Sequence, residues 1–583
     1  MTIQTLEVDT RMGQPAAAPS GVPRATPPRK SPIKDAVTRS PWLIFALLCM
    51  VIGVIFIIVP QVNTVATAFR TPTGWGLDAI IEFFSSSRYT SAIWNSLLVV
   101  FSTSAIATLL AVPLAFLFAR YDFNGKTVAL TLVTLATASP PFLGAYAWLI
   151  LLGRFGVVHN VVMSLFHVDL DLQIVGPVGV IWVVTWLVFP LVFLLSFEGF
   201  SNQDPSLVDA ARSAGSHRIR TLLKVEIPLA VPGIITGIFM AMLAAFSDFG
   251  TPAVIGGEFP VMPTLVYGEY VSEVGGNLSL ASTAGLVMIL MSSVALTVQR
   301  IILAKRAFAT LGAKRARTNR AGRLARFWIA FYTTVVLMAA FAPHITLIVV
   351  SFMKWNYGIL SNQFTLENYS SLFTDHLAPI GVSFMVGGIA TVLCSIFGVG
   401  ISYLLVRKRW KVVSPFLNMT TTLPYIIPGT VLALGYVVVF NNPPLILTGT
   451  WMILVIVSFV RKLPFAIKSA EASLSQVHPA VEEAALMAGA GPGRAFLTTT
   501  MRLMIGGVLT GASLAFLQMM TELSSSLILY RPPWETMTVA IYRNTLSSGA
   551  DFGLSAAMGV VLLVSVNVIL LAVNLTTRKN IRL

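Results

Sequence analysis

The sequence predicts an all-α membrane protein of about twelve transmembrane helices, arranged as two parallel repeats of six. Three observations predict it. Hydrophobic residues make up 56% of the 583 positions and charged residues 11%, against about a quarter charged in a soluble chain, and the mean hydropathy is +0.81. The apolar residues fall into runs near the roughly 20 positions that a bilayer core requires. Finally, a pattern of polar and glycine residues recurs at a fixed distance between the two halves of the chain.

Residues 1–40 are rich in Pro, Ala, Ser and Thr, carry Arg24, Arg29, Lys30, Lys34 and Arg39, and have no apolar core. They read as a disordered basic tail. The first apolar run starts near Trp42, is long enough to span and has no clear small-residue cleavage site, so a cleaved leader is not expected. The first half, 41–304, gives spans at Trp42–Pro60, Ala92–Ala119, Val128–Leu152, Ile174–Phe197, Gly233–Phe249 and Leu278–Leu303. A basic linker over 305–326 follows, with Lys305, Arg306, Lys314, Arg315, Arg317, Arg320, Arg323 and Arg326 and no acid. The second half, 327–575, gives Phe327–Phe352, Ile380–Val406, Val412–Phe440, Leu445–Val460, Ile505–Leu527 and Leu554–Val573, with Arg461-Lys462 marking the end of the fourth, before a short tail at 576–583. Pro140-Pro141 and Pro424-x-x-x-Pro428 kink the third span of each half, a feature better explained by packing than by a gate. Cys49 and Cys394 lie in apolar spans of different halves, so no disulfide is expected.

The net charge of +15 is not a nucleic-acid signal, because the basic residues sit in alternate loops beside apolar spans. Arg120, Lys126, Arg212, Arg218, Arg220, Lys224, the linker, Arg407-Lys408-Arg409, Arg461, Lys462, Lys468, Arg494 and Arg578-Lys579-Arg582 fall on one side; the opposite loops hold Glu258, Glu269, Glu273, Asp375 and Asp551. The positive-inside rule puts the basic loops and both termini in the cytoplasm.

The repeat is sharpest in two of these basic loops. Asp209-Ala210-Ala211, three residues and Gly215 in the first half answer to Glu483-Ala484-Ala485, three residues and Gly489 in the second, each preceded by a proline, Pro205 and Pro479; each of these pairs is 274 positions apart. Earlier in the halves, Ser96 with Ser383, Arg120 with Arg407 and Pro141 with Pro428 are 287 apart, so the first half carries extra residues, placed in the loop around Arg154–Gln173. Proline suits the first helical position and glycine the left-handed helix stop. Each loop therefore reads as a short polar helix, a glycine break and a second short helix, with the paired alanines offering a flat face that another protein could approach.

These loops resemble the Glu-Ala-Ala (EAA) loops of permease subunits in ATP-binding-cassette (ABC) importers, whose pattern continues, nine residues after the glycine, with Ile-x-Leu-Pro. The first copy has Val225-Glu226-Ile227-Pro228 there; the second departs from it with Thr499, Thr500, Met501 and Arg502. Two halves in one chain resemble the fused permeases of ferric-iron importers, and Phe246–Pro252 and Met520–Ser526 are similar to segments of that group. The resemblance implies a type I importer permease fold and the import of a small solute, ferric iron first, by alternating access. It implies as partners two ABC ATPase subunits, which dock on the loops, and a periplasmic substrate-binding protein. ATP and Mg would be bound by the ATPase subunits and no cofactor by this chain, in the bacterial inner membrane. Relatives serving 2-aminoethylphosphonate, polyamines, thiamine or sulfate keep those cargoes open.

Ser247-Asp248 and Thr521-Glu522 are matched by the repeat, at 274 positions apart, and are the candidate residues of the translocation path. Carboxylates at such depth face a cavity or a partner rather than lipid. They could attract a hard cation or an amine; equally, each could cap a broken helix or pair with Arg531 or Arg543. Gly125-Lys126-Thr127 lacks the first glycine of a phosphate loop, since position 120 is Arg. No histidine spacing suits a metal and no catalytic triad is evident, which argues against an enzyme. A proton-coupled twelve-helix secondary transporter remains the rival, although it predicts buried relay carboxylates that the spans hardly supply.

Overall fold

The computed structural model describes residues 41–580 apart from 73, 137–139, 155, 170–173, 273–275, 306–318, 357–358 and 547–550. The basic tail at 1–40 and most of the linker lie outside the described residues. So do Glu273, Gln173 and the side chains of the last few residues.

Among the described residues, ten helices are long and apolar enough to cross a membrane, or up to eleven if one bent pair counts as a single span. In the first half these are Trp42–Ala68, Ser87–Arg120, Pro141–Phe166, Pro177–Ser201, Arg218–Ser247 and Leu278–Lys305. In the second half they are Arg323–Ser351, Leu377–Lys408, Pro492–Met520 and Phe552–Ala572.

Three expected spans differ. The third span of the second half is not kinked but broken, since Val413–Ile426 and Gly429–Phe440 meet at 111°; that of the first half is described as two helices, Lys126–Ala136 and Pro141–Leu152, and residues 137–139 between them lie outside the described residues. Proline at 428 disfavours helix at Ile427, which is extended at ψ 125°. The fourth span of the second half does not end at Val460. It runs from Trp451 to Gln476, through Arg461 and Lys462, and sits at the same place in the repeat as Pro177–Ser201. The extra residues of the first half form the helix Val157–Phe166.

The repeat reaches down to single hydrogen bonds. The Ser96 hydroxyl accepts the backbone N–H of Met262 at 2.8 Å, and the Ser383 hydroxyl accepts that of Met537 at 2.7 Å. Both N–H groups open a short helix after the fifth span, where no intrahelical acceptor exists. Ser96→Ala or Ser383→Ala is therefore expected to cost about 1–3 kcal/mol by orphaning a buried donor, measurable as a fall in the unfolding temperature of the purified chain. Close backbone packing is repeated too. A Cβ on Gly233 would meet Leu195 O at 2.6 Å, and one on Gly507, at the equivalent place, would meet Ser473 Cβ at 2.4 Å. Glycine there lets the fourth and fifth spans touch along their backbones.

The halves share one core, in which Phe142, Tyr146 and Phe249 pack with Leu347, Phe516, Met520 and Leu523. Phe249 meets Tyr267 of its own half at 5.1 Å and Tyr542, the matching tyrosine of the other half, at 5.9 Å. The first span of each half also lies on the other half. Tyr436 donates to Phe56 O at 2.7 Å and Phe45 stacks on Phe397 at 5.7 Å, while Tyr332 donates to Leu110 O at 2.7 Å. Cys49 and Cys394 are buried and unpaired.

Candidate coupling loops and membrane-embedded charges

Each repeated loop folds as its residues dictate. In the first, Asp204 caps the helix Pro205–Ser213 by accepting from Ser206 N–H at 2.9 Å. Gly215 then turns the chain at φ 83° into the short helix Arg218–Thr221. In the second, His478 caps Pro479–Met487 through its Nδ1, which accepts from Ala480 N–H at 3.2 Å. Gly489 turns at φ 88° into Pro492–Ala495. Asp209, Ala210, Glu483 and Ala484 are exposed, and Ala211 and Ala485 half-buried. Apolar side chains stand in the open beside them: Leu207 and Ile219 in the first loop, and Met487, 88% exposed, and Leu497 in the second. Both loops return into a π-helical turn, Leu222–Glu226 and Phe496–Thr500, an irregularity frequent at functional sites. The second loop keeps this geometry although its end departs from the Ile-x-Leu-Pro pattern.

The two matched carboxylates do not match in their surroundings. Glu522 is buried and held by two cations. It forms an ion pair with Arg461, and Lys462 Nζ donates to its Oε2 at 3.0 Å. It also accepts from Ser525 N–H at 3.2 Å and from the Ser525 hydroxyl at 3.1 Å. The Arg461 guanidinium lies against Gly429, where a Cβ would come within 2.6 Å of Nη1, so it braces the bend between Ile426 and Gly429. Asp248 is equally buried but forms no salt bridge among the described residues. It caps the helix Gly250–Ile255 by accepting from Gly250 and Thr251 N–H at 3.1 and 3.4 Å. Of the two expected cation partners, Arg531 donates instead to Tyr530 O and Arg543 pairs with Glu535 at 3.2 Å. Ser247 sits at the end of its helix, and the Thr521 hydroxyl donates to Leu517 O at 3.2 Å.

Arg461 and Lys462 are thus residues that the sequence reading misplaced. A signal for them was present: moved back by 274 positions they fall on Leu187 and Val188, in the middle of Pro177–Ser201 and not at its end. The first half fills the corresponding space with apolar groups; Phe142 packs where a Cβ on Gly250 would come within 2.7 Å of its own Cβ. A cavity of about 220 Å³ opens where the halves meet, lined by Tyr270 of the first half and by Val437, Asn441, Thr448, Leu529 and Arg531 of the second. No group of three His, Cys, Asp or Glu among the described residues is placed to hold a metal ion.

The profile described as "binding-protein-dependent transport system inner membrane component" matches residues 111–308 and again 395–581. The ferric transport system permease protein FbpB of Actinobacillus pleuropneumoniae is 25% identical over 91% of this chain and 77% of its own length. An Fe(3+)-transport system permease protein of Haemophilus influenzae is 23% identical over 81% of this chain and 87% of its own. A spermidine/putrescine transport system permease protein of the same species, PotB, is 25% identical over 37% of this chain and 74% of its own length, a match to roughly one repeat.

Proposed function

This chain belongs to the binding-protein-dependent transport system inner membrane components, and from that premise we propose that it is the fused permease of an ATP-driven importer whose cargo is ferric iron. The observation that carries the importer reading is the pair of loops at equal spacing, each with a capped polar helix, a left-handed glycine and exposed apolar residues around paired alanines. Such a loop offers an ATPase subunit a helix to grip. Two of them in one chain call for two such subunits, which bind and hydrolyse ATP with Mg.

The basic loops put Asp209–Gly215 and Glu483–Gly489 on the cytoplasmic side, with both termini. The domain limits follow the same division: a cytoplasmic tail at 1–40, the first permease half at 41–304, a cytoplasmic linker at 305–326, the second half at 327–575 and a short tail at 576–583. Closure of the ATPase pair on ATP moves both loops together, the halves rock about their shared core, and the path opens in turn to a substrate-binding protein outside and to the cytoplasm. Binding energy belongs mainly to that binding protein. The permease then needs only weak contacts, which agrees with Glu522, an acid of the membrane interior, being already paired with Arg461 and Lys462.

Iron is favoured because several relatives that extend along most of the chain are named for ferric transport. The test is uptake of labelled ferric iron by cells carrying the permease with its neighbouring genes, against cells lacking this chain. Uptake that depends on the chain, and that excess spermidine or 2-aminoethylphosphonate leaves unchanged, is the expected result. Chain-dependent uptake of spermidine in place of iron would keep the importer and replace the cargo.

A further inference from the structure

The two loops are fastened to the membrane helices by different joints. In the second half, the Tyr403 hydroxyl at the end of the second span donates to Glu482 Oε1 at 2.5 Å, and the Thr500 hydroxyl donates to Oε2 at 3.2 Å. Arg407 Nη2 donates to Val477 O, just before the loop helix, at 2.5 Å. The acid of this joint lies on the loop helix Pro479–Met487 itself.

The equivalent positions in the first half are Phe116 for Tyr403, Arg120 for Arg407, Gln203 for Val477, Val208 for Glu482 and Glu226 for Thr500, at the same spacings of 287 and 274. Phe116, Arg120, Gln203, Val208 and Glu226 line one small recess. There Val208 is buried, Arg120 Nη2 lies 3.7 Å from Glu226 Oε1, and Gln203 Nε2 donates to Glu226 O at 2.7 Å. The acid has moved from the loop helix to the root of the fifth span, and the tyrosine hydroxyl that would have needed it is missing.

We infer that Glu482 is a positioning residue that clamps the second coupling helix to the second span of its half, whereas the first half ties second span to fifth span through Glu226 and leaves its coupling helix held at Val208 by apolar contact. This rests on the proposed role of the loops. A push on the second loop helix passes straight into Leu377–Lys408 through charged hydrogen bonds, which are directional and about twice as strong as neutral ones. Among the described residues, a push on the first passes into Ser87–Arg120 by way of packing at Val208 and through the fifth span. Coupling is therefore unequal between the halves, with the larger share carried by the joint at Glu482. The first half also supplies a working alternative for the second: Phe, Gln, Val and Glu at 403, 477, 482 and 500.

The test uses the full chain with its ATPase subunits in vesicles, and reads ATP hydrolysis stimulated by the binding protein, which needs no knowledge of the cargo. Glu482→Val should lower the stimulated rate by about tenfold, within the range of known coupling energies, while the complex still co-purifies and its unstimulated rate persists. The four-site variant Tyr403→Phe, Val477→Gln, Glu482→Val and Thr500→Glu should recover most of the stimulation, and Val208→Ala in the first half should cost less than Glu482→Val. Full stimulation in Glu482→Val, or no recovery in a four-site variant that assembles normally, overturns the inference. Charge reversal at Asp209 and Glu483 serves as the reference: loss of stimulation there with none in Glu482→Val refutes only the joint, and full stimulation there refutes the coupling loops as well.

Discussion

Glu522→Gln is expected to destabilise the chain by about 3–5 kcal/mol, the cost of leaving buried charges without their partner. The carboxylate is the shared anion of Arg461 and Lys462, and both cations stay buried among apolar side chains when it becomes neutral. Gln can still take the Ser525 N–H, so the loss is electrostatic and not a lost cap. Asp248→Asn should cost less than about 1 kcal/mol, since an Asn oxygen caps the helix at Gly250 nearly as well and no cation is stranded. The contrast separates the two halves. A chain with Arg461→Leu, Lys462→Val and Glu522→Gln, which copies Leu187 and Val188 of the first half, should regain much of the stability, because well-packed apolar replacement of a buried ion cluster is often neutral or better. The measurement is the unfolding transition of the detergent-purified protein, compared across the three variants. Equal losses for Glu522→Gln and Asp248→Asn would refute the account of the cluster.

Asp209→Arg combined with Glu483→Arg should abolish transport while the protein remains folded. Both side chains are exposed on loop helices, where substitution normally changes stability by no more than about 0.5 kcal/mol. Each also directly precedes the paired alanines in sequence. Reversal places a bulky cation beside the paired alanines of each loop and inverts its charge, and a mismatch of charge at an interface costs several kcal/mol. We expect labelled uptake to fall to background and the ATPase subunits to be lost from the purified complex, with expression and unfolding temperature unchanged. Uptake at the original rate would exclude these loops as the coupling elements.

Hydropathy and the repeat sufficed for most of the fold because membrane helices are set by local composition: each long apolar run had to be a helix, wherever its neighbours lay. The loops were legible for the same reason, since Pro205, Gly215, Pro479 and Gly489 act on their own backbone. What the sequence could not display was pairing across distance. Arg461 and Lys462 look like the end of a span until Glu522, some sixty residues later, is seen beside them. The joints were hidden likewise: Glu482 adjoins Glu483, and its contacts with Tyr403 and Thr500 join residues far apart in the chain. The break in the third span of the second half reads from sequence as a kink, because Pro428 announces a disturbance without stating its size, which packing decides.

The exchange of first spans has a consequence for how the chain is made. Trp42–Ala68 leaves the ribosome early, but Tyr436 and the helix Gly429–Phe440 that cover it are synthesised more than 350 residues later. Until then its partner face can meet only lipid. Assembly must therefore proceed by insertion of spans first and their association afterwards, with the first half kept waiting, unfinished and open to degradation, for the arrival of the second. A premature stop in the linker yields a product that is not a half-transporter but a set of inserted helices lacking the surface that would close them.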